Sequence, residues 1–180
     1  MPLTDKVSIE TGKIHGNSWV ANEDIAEGEV IWWIDDDYVP IYEKNITFEQ
    51  MESWDEQTQK KFMGLAYQVD EGVLEGLLDV SVVPFDTLKE YYVNHCCDGN
   101  SWYDTDRRLI ALRPIKKDEE INYDYALTES HKYFKLNCLC GTSKCRKTVS
   151  GDDWMIEELQ QRYKGHFLSY LEEKIASLAR

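Results

Sequence analysis

The sequence predicts an α+β fold built mainly from short strands, and three observations carry the prediction. Apolar runs of strand character are brief and recur along the chain, as at Val30-Ile31-Trp32-Trp33-Ile34 and Arg108-Leu109-Ile110-Ala111-Leu112. A segment at about 43–90 has a helical character of its own. The tail from Asp152 onward returns to helical spacing. A chain of 180 residues suits one domain and is long enough to bury a real core.

The first stretch reads as short strands joined by turns, and Gly28 marks the turn before a buried strand over 30–34. Thr47 and Gln50 stand at capping-box spacing. Phe48, Met51, Phe62 and Leu65 then supply a partial apolar face, so 43–90 reads as a mainly helical insert. Strand character returns at Tyr91-Tyr92-Val93, at Ser101-Trp102-Tyr103, at 108–112 and at Glu120-Ile121-Asn122-Tyr123. In the tail, Phe167, Tyr170, Leu171, Ile175 and Leu178 follow helical spacing, and Gly165 divides it into two helices. Packing against the domain is their expected role.

Hydrophobic residues make up 42% and charged residues 30%, as in ordinary soluble domains. The longest apolar run is five residues, far below the ~20 that span a membrane. Met1-Pro2-Leu3-Thr4-Asp5-Lys6 has no apolar signal region, so an intracellular protein, cytoplasmic or nuclear and without membrane contact, is expected. Thirty-four acids against 20 bases give a net charge of −14. Such a surface repels phosphate and speaks against direct nucleic-acid binding. It favours a basic partner, unless the charge serves solubility alone. Asn45-Ile46-Thr47 fits a glycosylation sequon, which in this setting reads as a chance match.

Five cysteines argue against a pure disulfide framework. Cys138, Cys140 and Cys145 form a tight C-x-C-x4-C cluster with Gly141 at its turn. Three thiolates so close can share one tetrahedral zinc at about 2.3 Å, a closed site that holds structure. The competing reading is free or disulfide-forming thiols, which are rarely paired in the cytosol. A fourth ligand has to come from Cys96, Cys97 or a histidine.

Asn94-His95-Cys96-Cys97-Asp98-Gly99-Asn100 resembles the N-H-x-C-x-P-N motif of SET-domain proteins. Glu119-Glu120-Ile121-Asn122-Tyr123-Asp124-Tyr125 resembles that family's E-E-L-x-x-D-Y, and the cysteine cluster its post-SET pattern. Upstream, Gly16-Asn17-Ser18-Trp19-Val20-Ala21 is similar to its G-x-G-x-x-A. The likeness covers roughly residues 12–148, with the motifs in family order. It departs from the family at Ser18 (second glycine), Tyr91 (often arginine), Gly99 (proline), Trp32 and Trp33 (often tyrosine) and Lys147 (often glycine).

The resemblance implies a SET fold of small sheets: a SET domain over 1–133, a post-SET zinc flap over 134–150 and a C-terminal helical extension over 151–180. It implies transfer of a methyl group from S-adenosyl-L-methionine to a protein lysine, and a basic, histone-like substrate suits the charge. Tyr125 would be the catalytic tyrosine, orienting the reactants rather than acting as a base, because a phenol with a pKa near ~10 is a poor base at pH 7. Gly16, Asn17, Ser18, Trp19, Asn94 and His95 would contact the cofactor. Tyr67 would flank it and Leu139 would pack near its adenine. Ser18, in place of glycine, is expected to carry some backbone strain. In the family the cysteine of N-H-x-C completes the zinc site, which makes the ligands Cys97, Cys138, Cys140 and Cys145. Tyr123, two residues before the terminal tyrosine, implies mainly monomethylation. The alternatives are a catalytically silent SET-fold binding module and a zinc-stabilised interaction protein.

Overall fold

In a computed structural model that describes residues 3–13, 16–132 and 134–178, the strands form four small sheets. Met1 and Pro2, the start of the N-terminal stretch read above, lie outside the described residues. The first sheet has the order β1 (Val7–Thr11), β2 (Asn17–Ala21), β10 (Glu120–Tyr123), β7 (Asn94–His95). The second is β3 (Val30–Trp33), β9 (Arg108–Ala111), β8 (Ser101–Thr105), and the third is β4 (Glu43–Thr47), β6 (Val73–Leu77), β5 (Tyr67–Asp70). A hairpin of β11 (Lys135–Asn137) and β12 (Thr148–Ser150) brackets the cysteine cluster. Among the described residues there are also five short α-helices: α1 (Phe48–Glu52), α2 (Glu56–Met63), α3 (Phe85–Leu88), α4 (Glu157–Arg162) and α5 (Ser169–Leu178). This is the expected α+β class.

The segment 43–90 differs from its reading as mainly helical. Its capping box forms, with Gln50 N–H donating to Thr47 Oγ1 at 3.1 Å and Thr47 N–H to Gln50 Oε1 at 2.9 Å. However, helices α1 and α2 pack on a three-stranded antiparallel sheet through Met51, Phe62 and Leu74. The missed signal is Glu71-Gly72 between two short strands, where Gly72 takes the left-handed conformation (φ +71°) that a tight reversal requires.

Tyr91-Tyr92-Val93 also differs from its strand reading. A single 3-10 turn covers Lys89–Tyr91, and the strand begins only at Asn94. Strand β2 imposes this shape: Trp19 donates from Nε1 to Lys89 O (2.8 Å) and from its backbone N–H to Tyr92 O (3.1 Å).

One core joins the first two sheets to the tail. Trp19, Ile25, Ile31, Leu109, Ile115, Ile121 and Leu127 meet Tyr163, Phe167, Leu168, Tyr170 and Leu171. The tail therefore packs as expected, with Gly165 separating its helices. Leu178 departs from that face and stays 62% exposed.

The loop after β7 packs closely on β10. Cys96 N–H donates to Tyr123 O (3.0 Å), Asn100 N–H to Asn122 O (3.1 Å), and Asn122 N–H to Asn100 Oδ1 (3.0 Å). A Cβ on Gly99 would lie 2.8 Å from the Tyr123 Cα and 3.0 Å from the Asn122 carbonyl oxygen. The obstacle is strand backbone, which cannot turn aside. This explains glycine where many SET domains have proline, since proline carries that Cβ. Gly99→Ala should lower unfolding free energy by about 1–3 kcal/mol, the usual penalty for overpacking. Chemical denaturation with an unchanged midpoint would refute this.

Candidate functional site

A cavity of about 170 Å³ lies where the sheets converge. Tyr67 reaches it from β5, Tyr103 from β8, Tyr123 from β10, Trp19 from β2 and Trp32 from β3. Tyr91 and Tyr125 enter from 3-10 turns beside the strands. Three carboxylates, Glu43, Glu90 and Glu129, complete its polar lining. No lysine, arginine or histidine is among the described residues that line it.

Tyr125 is held at both ends. Its hydroxyl donates to Val93 O at 2.8 Å, and its backbone N–H donates to His95 Nδ1 at 3.1 Å. Burial first, and then the charge of Glu129, push its phenol above the ordinary range. It is thus a fixed hydrogen-bond donor. Tyr123 is 5% exposed and sits 5.0 Å from the Tyr125 ring, edge-on to Tyr103 at 5.5 Å. Its hydroxyl lies 3.4 Å from Thr128 Oγ1. Tyr67 donates to Glu75 Oε2 at 3.1 Å.

The carboxylates share one condition. Burial, with added repulsion from Glu75 and Glu90, raises Glu43 to about 7. Burial likewise raises Glu90 and Glu129 to about 7. Glu43 Oε1 and Glu90 Oε2 are buried with no hydrogen-bond partner among the described residues.

Around the edge of this cavity, β2, β7 and β10 bring Gly16, Asn17, Ser18, Asn94 and His95 together, although none of these five lines it. Asn94 Nδ2 donates to Asn17 O at 3.1 Å. Ser18 is fully buried and donates to Glu120 Oε1 at 2.6 Å. Its φ lies outside the left-handed region, so the expected strain at this serine is absent. A hydroxyl anchored on Glu120 replaces the motif's second glycine within a regular strand. His95 is 4% exposed. Because a backbone N–H donates to its Nδ1, the proton is on Nε2, which faces Cys97 Sγ at 3.2 Å. Burial lowers its pKa to about 4, so the ring is neutral.

The Sγ atoms of Cys97, Cys138, Cys140 and Cys145 lie within 4.8 Å of one another. Cys97 and Cys138 are 3.7 Å apart. The sulfur–sulfur edge of a tetrahedron with 2.3 Å bonds is ~3.8 Å. Arg146 N–H points at Cys97 Sγ (3.3 Å) and Cys140 N–H at Cys138 Sγ (3.5 Å). Burial pushes the Cys97 and Cys138 thiols up, so a bound cation is what would favour their thiolates. Cys96 is buried too, but outside this group. Leu139, between two of the cysteines, is 70% exposed and does not reach the cavity.

Arg146 joins the flap to the rest of the domain. Its guanidinium grips Asp124 with two bonds of 2.6 Å, and its Nε donates to Asp153 at 2.7 Å. Lys147 follows in the left-handed region (φ 64°), which explains the glycine common there in SET domains. Sequence reasoning missed Arg146, Tyr103 and the three cavity carboxylates. Arg146 adjoins the cysteine cluster and Glu129 follows the tyrosine motif by four residues, but neither belongs to the motif's own pattern.

The family model for the SET domain matches residues 16–126. Histone-lysine N-methyltransferase SETD1A of Homo sapiens is 33% identical over 66 residues, which are 33% of this chain and 4% of that protein. Histone-lysine N-methyltransferase trithorax of Drosophila melanogaster is 24% identical over 155 residues, 81% of this chain and 4% of that protein. Histone-lysine N-methyltransferase, H3 lysine-4 specific, of Saccharomyces cerevisiae is 38% identical over 63 residues, 31% of this chain and 6% of that protein. The chain therefore spans only a small part of these curated relatives. No helix among the described residues is long and apolar enough to cross a membrane. The family model covers more than half of the chain, and its span holds the strands that build the tyrosine-lined cavity: the chain belongs to the SET-domain family.

Proposed function

We propose that this chain is an S-adenosyl-L-methionine-dependent protein-lysine methyltransferase that adds mainly one methyl group to a basic, histone-like protein. The observation that carries the proposal is the cavity itself: aromatic walls, three carboxylates and no basic side chain among the described residues that line it. Such a space accepts cations. Both reactants, a lysine ammonium and a sulfonium, are cations. Family membership and the histone-lysine methyltransferase relatives support the same reading, and the net charge of −14 suits a basic substrate.

In this reading the cofactor lies along β2 and β7, beside Gly16, Asn17, Trp19, Asn94 and His95, and Tyr67 flanks it. Gly16 and Asn17 are exposed at the start of β2, so their backbone is open to a ligand. Ser18 contributes backbone alone, because its hydroxyl is committed to Glu120. The exposed Leu139 side chain offers an apolar face to the adenine. When bound, the cofactor supplies an activated methyl group on a positive sulfur. Tyr125, whose proton is committed to the Val93 carbonyl, presents its hydroxyl oxygen as the acceptor that holds the reacting groups in line. The four clustered cysteines hold one structural zinc, which pins the 134–150 flap to the SET domain (1–133) ahead of the helical extension (151–180).

Incubation with S-adenosyl-L-methionine and core histones, followed by mass spectrometry, tests this. Monomethyl-lysine is the expected product. Cofactor binding without methyl transfer to any histone or other basic protein would favour a silent binding module. Tyr123→Phe should raise the dimethyl-to-monomethyl ratio by about fivefold, since one hydrogen bond near the amine is worth about 1 kcal/mol. The Tyr123 hydroxyl lies 3.4 Å from Thr128 Oγ1 and bonds the Tyr103 phenol, and its remaining capacity can serve an amine or a water beside it. Abundant trimethyl-lysine from the wild type would defeat the monomethyl assignment.

A further inference from the structure

Glu129 has no assigned role in the chemistry above, yet it lines the cavity together with Tyr103, Tyr123 and Tyr125. It follows the turn that carries Tyr125, and its backbone N–H donates to Tyr125 O at 2.9 Å. Within that lining the residue is only 6% exposed. Its negative charge acts on the phenols of Tyr103, Tyr123 and Tyr125 together. Strand β5 fixes it: Gln68 N–H donates to Glu129 Oε1 at 3.4 Å. Gln68 is itself locked on Ser130, accepting its N–H (2.8 Å) and donating to its hydroxyl (2.9 Å). Burial, Gln68 and Thr128 set the carboxyl's proton affinity, with no lysine or arginine among them. A buried carboxylate without a cation is unfavourable, and a cationic ligand beside it would offset that cost.

We propose that the Glu129 carboxylate accepts the proton that the target lysine ammonium must lose before methyl transfer. The proposal rests on the methyltransferase reading. A free lysine has a pKa near ~10.4, so at neutral pH almost none carries the lone pair that attacks. Tyr125 is a poor base, because its own proton is donated to Val93 O and burial raises its phenol further above the working pH. Glu129 is raised by burial to about 7, near the working pH at which an acceptor is most effective. In the step, a lysine N–H bond breaks and leaves its electron pair on nitrogen, while an O–H bond forms on Glu129. The nitrogen pair then forms the N–C bond as the methyl–sulfur bond breaks, its pair going to sulfur. Glu129 afterwards returns its proton to water.

Single-turnover rates on core histones, measured from pH 6 to 9.5 for wild type, E129Q and E129D, test the proposal. Zinc content and cofactor affinity serve as folding controls. The wild-type rate should rise with pH and level off above about 7. E129Q should be about 100-fold slower at pH 7.5, the scale of a lost general base. Its rate should keep climbing toward the ordinary lysine pKa, so the gap narrows to under about tenfold at pH 9.5. E129D keeps the carboxylate and should keep the wild-type profile at a reduced rate. A constant deficit across pH would mark a structural role and overturn the proposal, as would no deficit. If E129Q does not fold, a wild-type profile without an ionisation between pH 6 and 8 overturns it equally. A wild type that methylates nothing overturns the functional reading itself, whereas a working wild type matched by E129Q overturns only the role of Glu129.

Discussion

Tyr125→Phe is expected to lower turnover on a verified substrate by about 100-fold or more, with cofactor affinity within a few-fold of wild type. The magnitude follows from losing one pre-positioned polar group at a reacting centre, on the order of 10²–10³ in rate, here a hydroxyl oxygen whose own proton is given to Val93 O. The fold predisposes this hydroxyl to a single task. Its bond to Val93 O fixes one end of the residue, and the bond from its N–H to His95 Nδ1 fixes the other. Burial keeps the phenol protonated at all working pH values. Phenylalanine preserves the ring and its packing on Tyr123, so the change reads the hydroxyl rather than the shape of the cavity. Single-turnover kinetics and calorimetry with S-adenosylhomocysteine separate the two effects. Wild-type rates from the variant would remove Tyr125 from the chemistry, and a collapse in cofactor affinity would make it a binding residue.

The second large effect concerns metal. Wild type and Cys96→Ser should each carry about one zinc per chain, whereas Cys97→Ser should retain less than about a tenth of that under competition with a chelator. Structural zinc in small domains contributes on the order of 10 kcal/mol of apparent binding free energy, and a lost thiolate sacrifices much of it. Cys97 Sγ lies in the four-sulfur group and Cys96 Sγ does not. The consequence should reach beyond the flap. Cys97 faces the imidazole that accepts the Tyr125 N–H, and Arg146, next to Cys145, clamps Asp124 beside Tyr125. Metal loss is thus expected to reduce turnover as well as stability. Elemental analysis of the two purified variants decides the ligand set, and zinc lost from Cys96→Ser but kept in Cys97→Ser would reverse it.

Much of this architecture was visible residue by residue. Short strands announce themselves through local alternation and apolar runs, so β3, β8, β9 and β10 stand where their sequences suggested. The Thr47–Gln50 cap and the compact cysteine spacing are likewise local, because their partners lie within a few residues. The insert was less legible. Its helix-favouring stretch at 56–63 dominates a window whose three strands are short and carry charged residues such as Lys44, Asp70 and Glu75.

Other features existed only once the chain had packed. Neighbouring residues in an extended segment point to opposite sides, so sequence order alone could not choose between Cys96 and Cys97, and the resemblance to a family had to. The four sulfurs converge because the loop after β7 and the flap close on each other. The cavity carboxylates come from β4, from the turn at 89–91 and from the segment after Tyr125, and no spacing rule links these. A glutamate reads as a surface residue in isolation. The folded chain instead buries Glu129 in a cavity that it shares with Tyr103, Tyr123 and Tyr125, with no lysine or arginine among the described lining residues, an environment that exists only after packing.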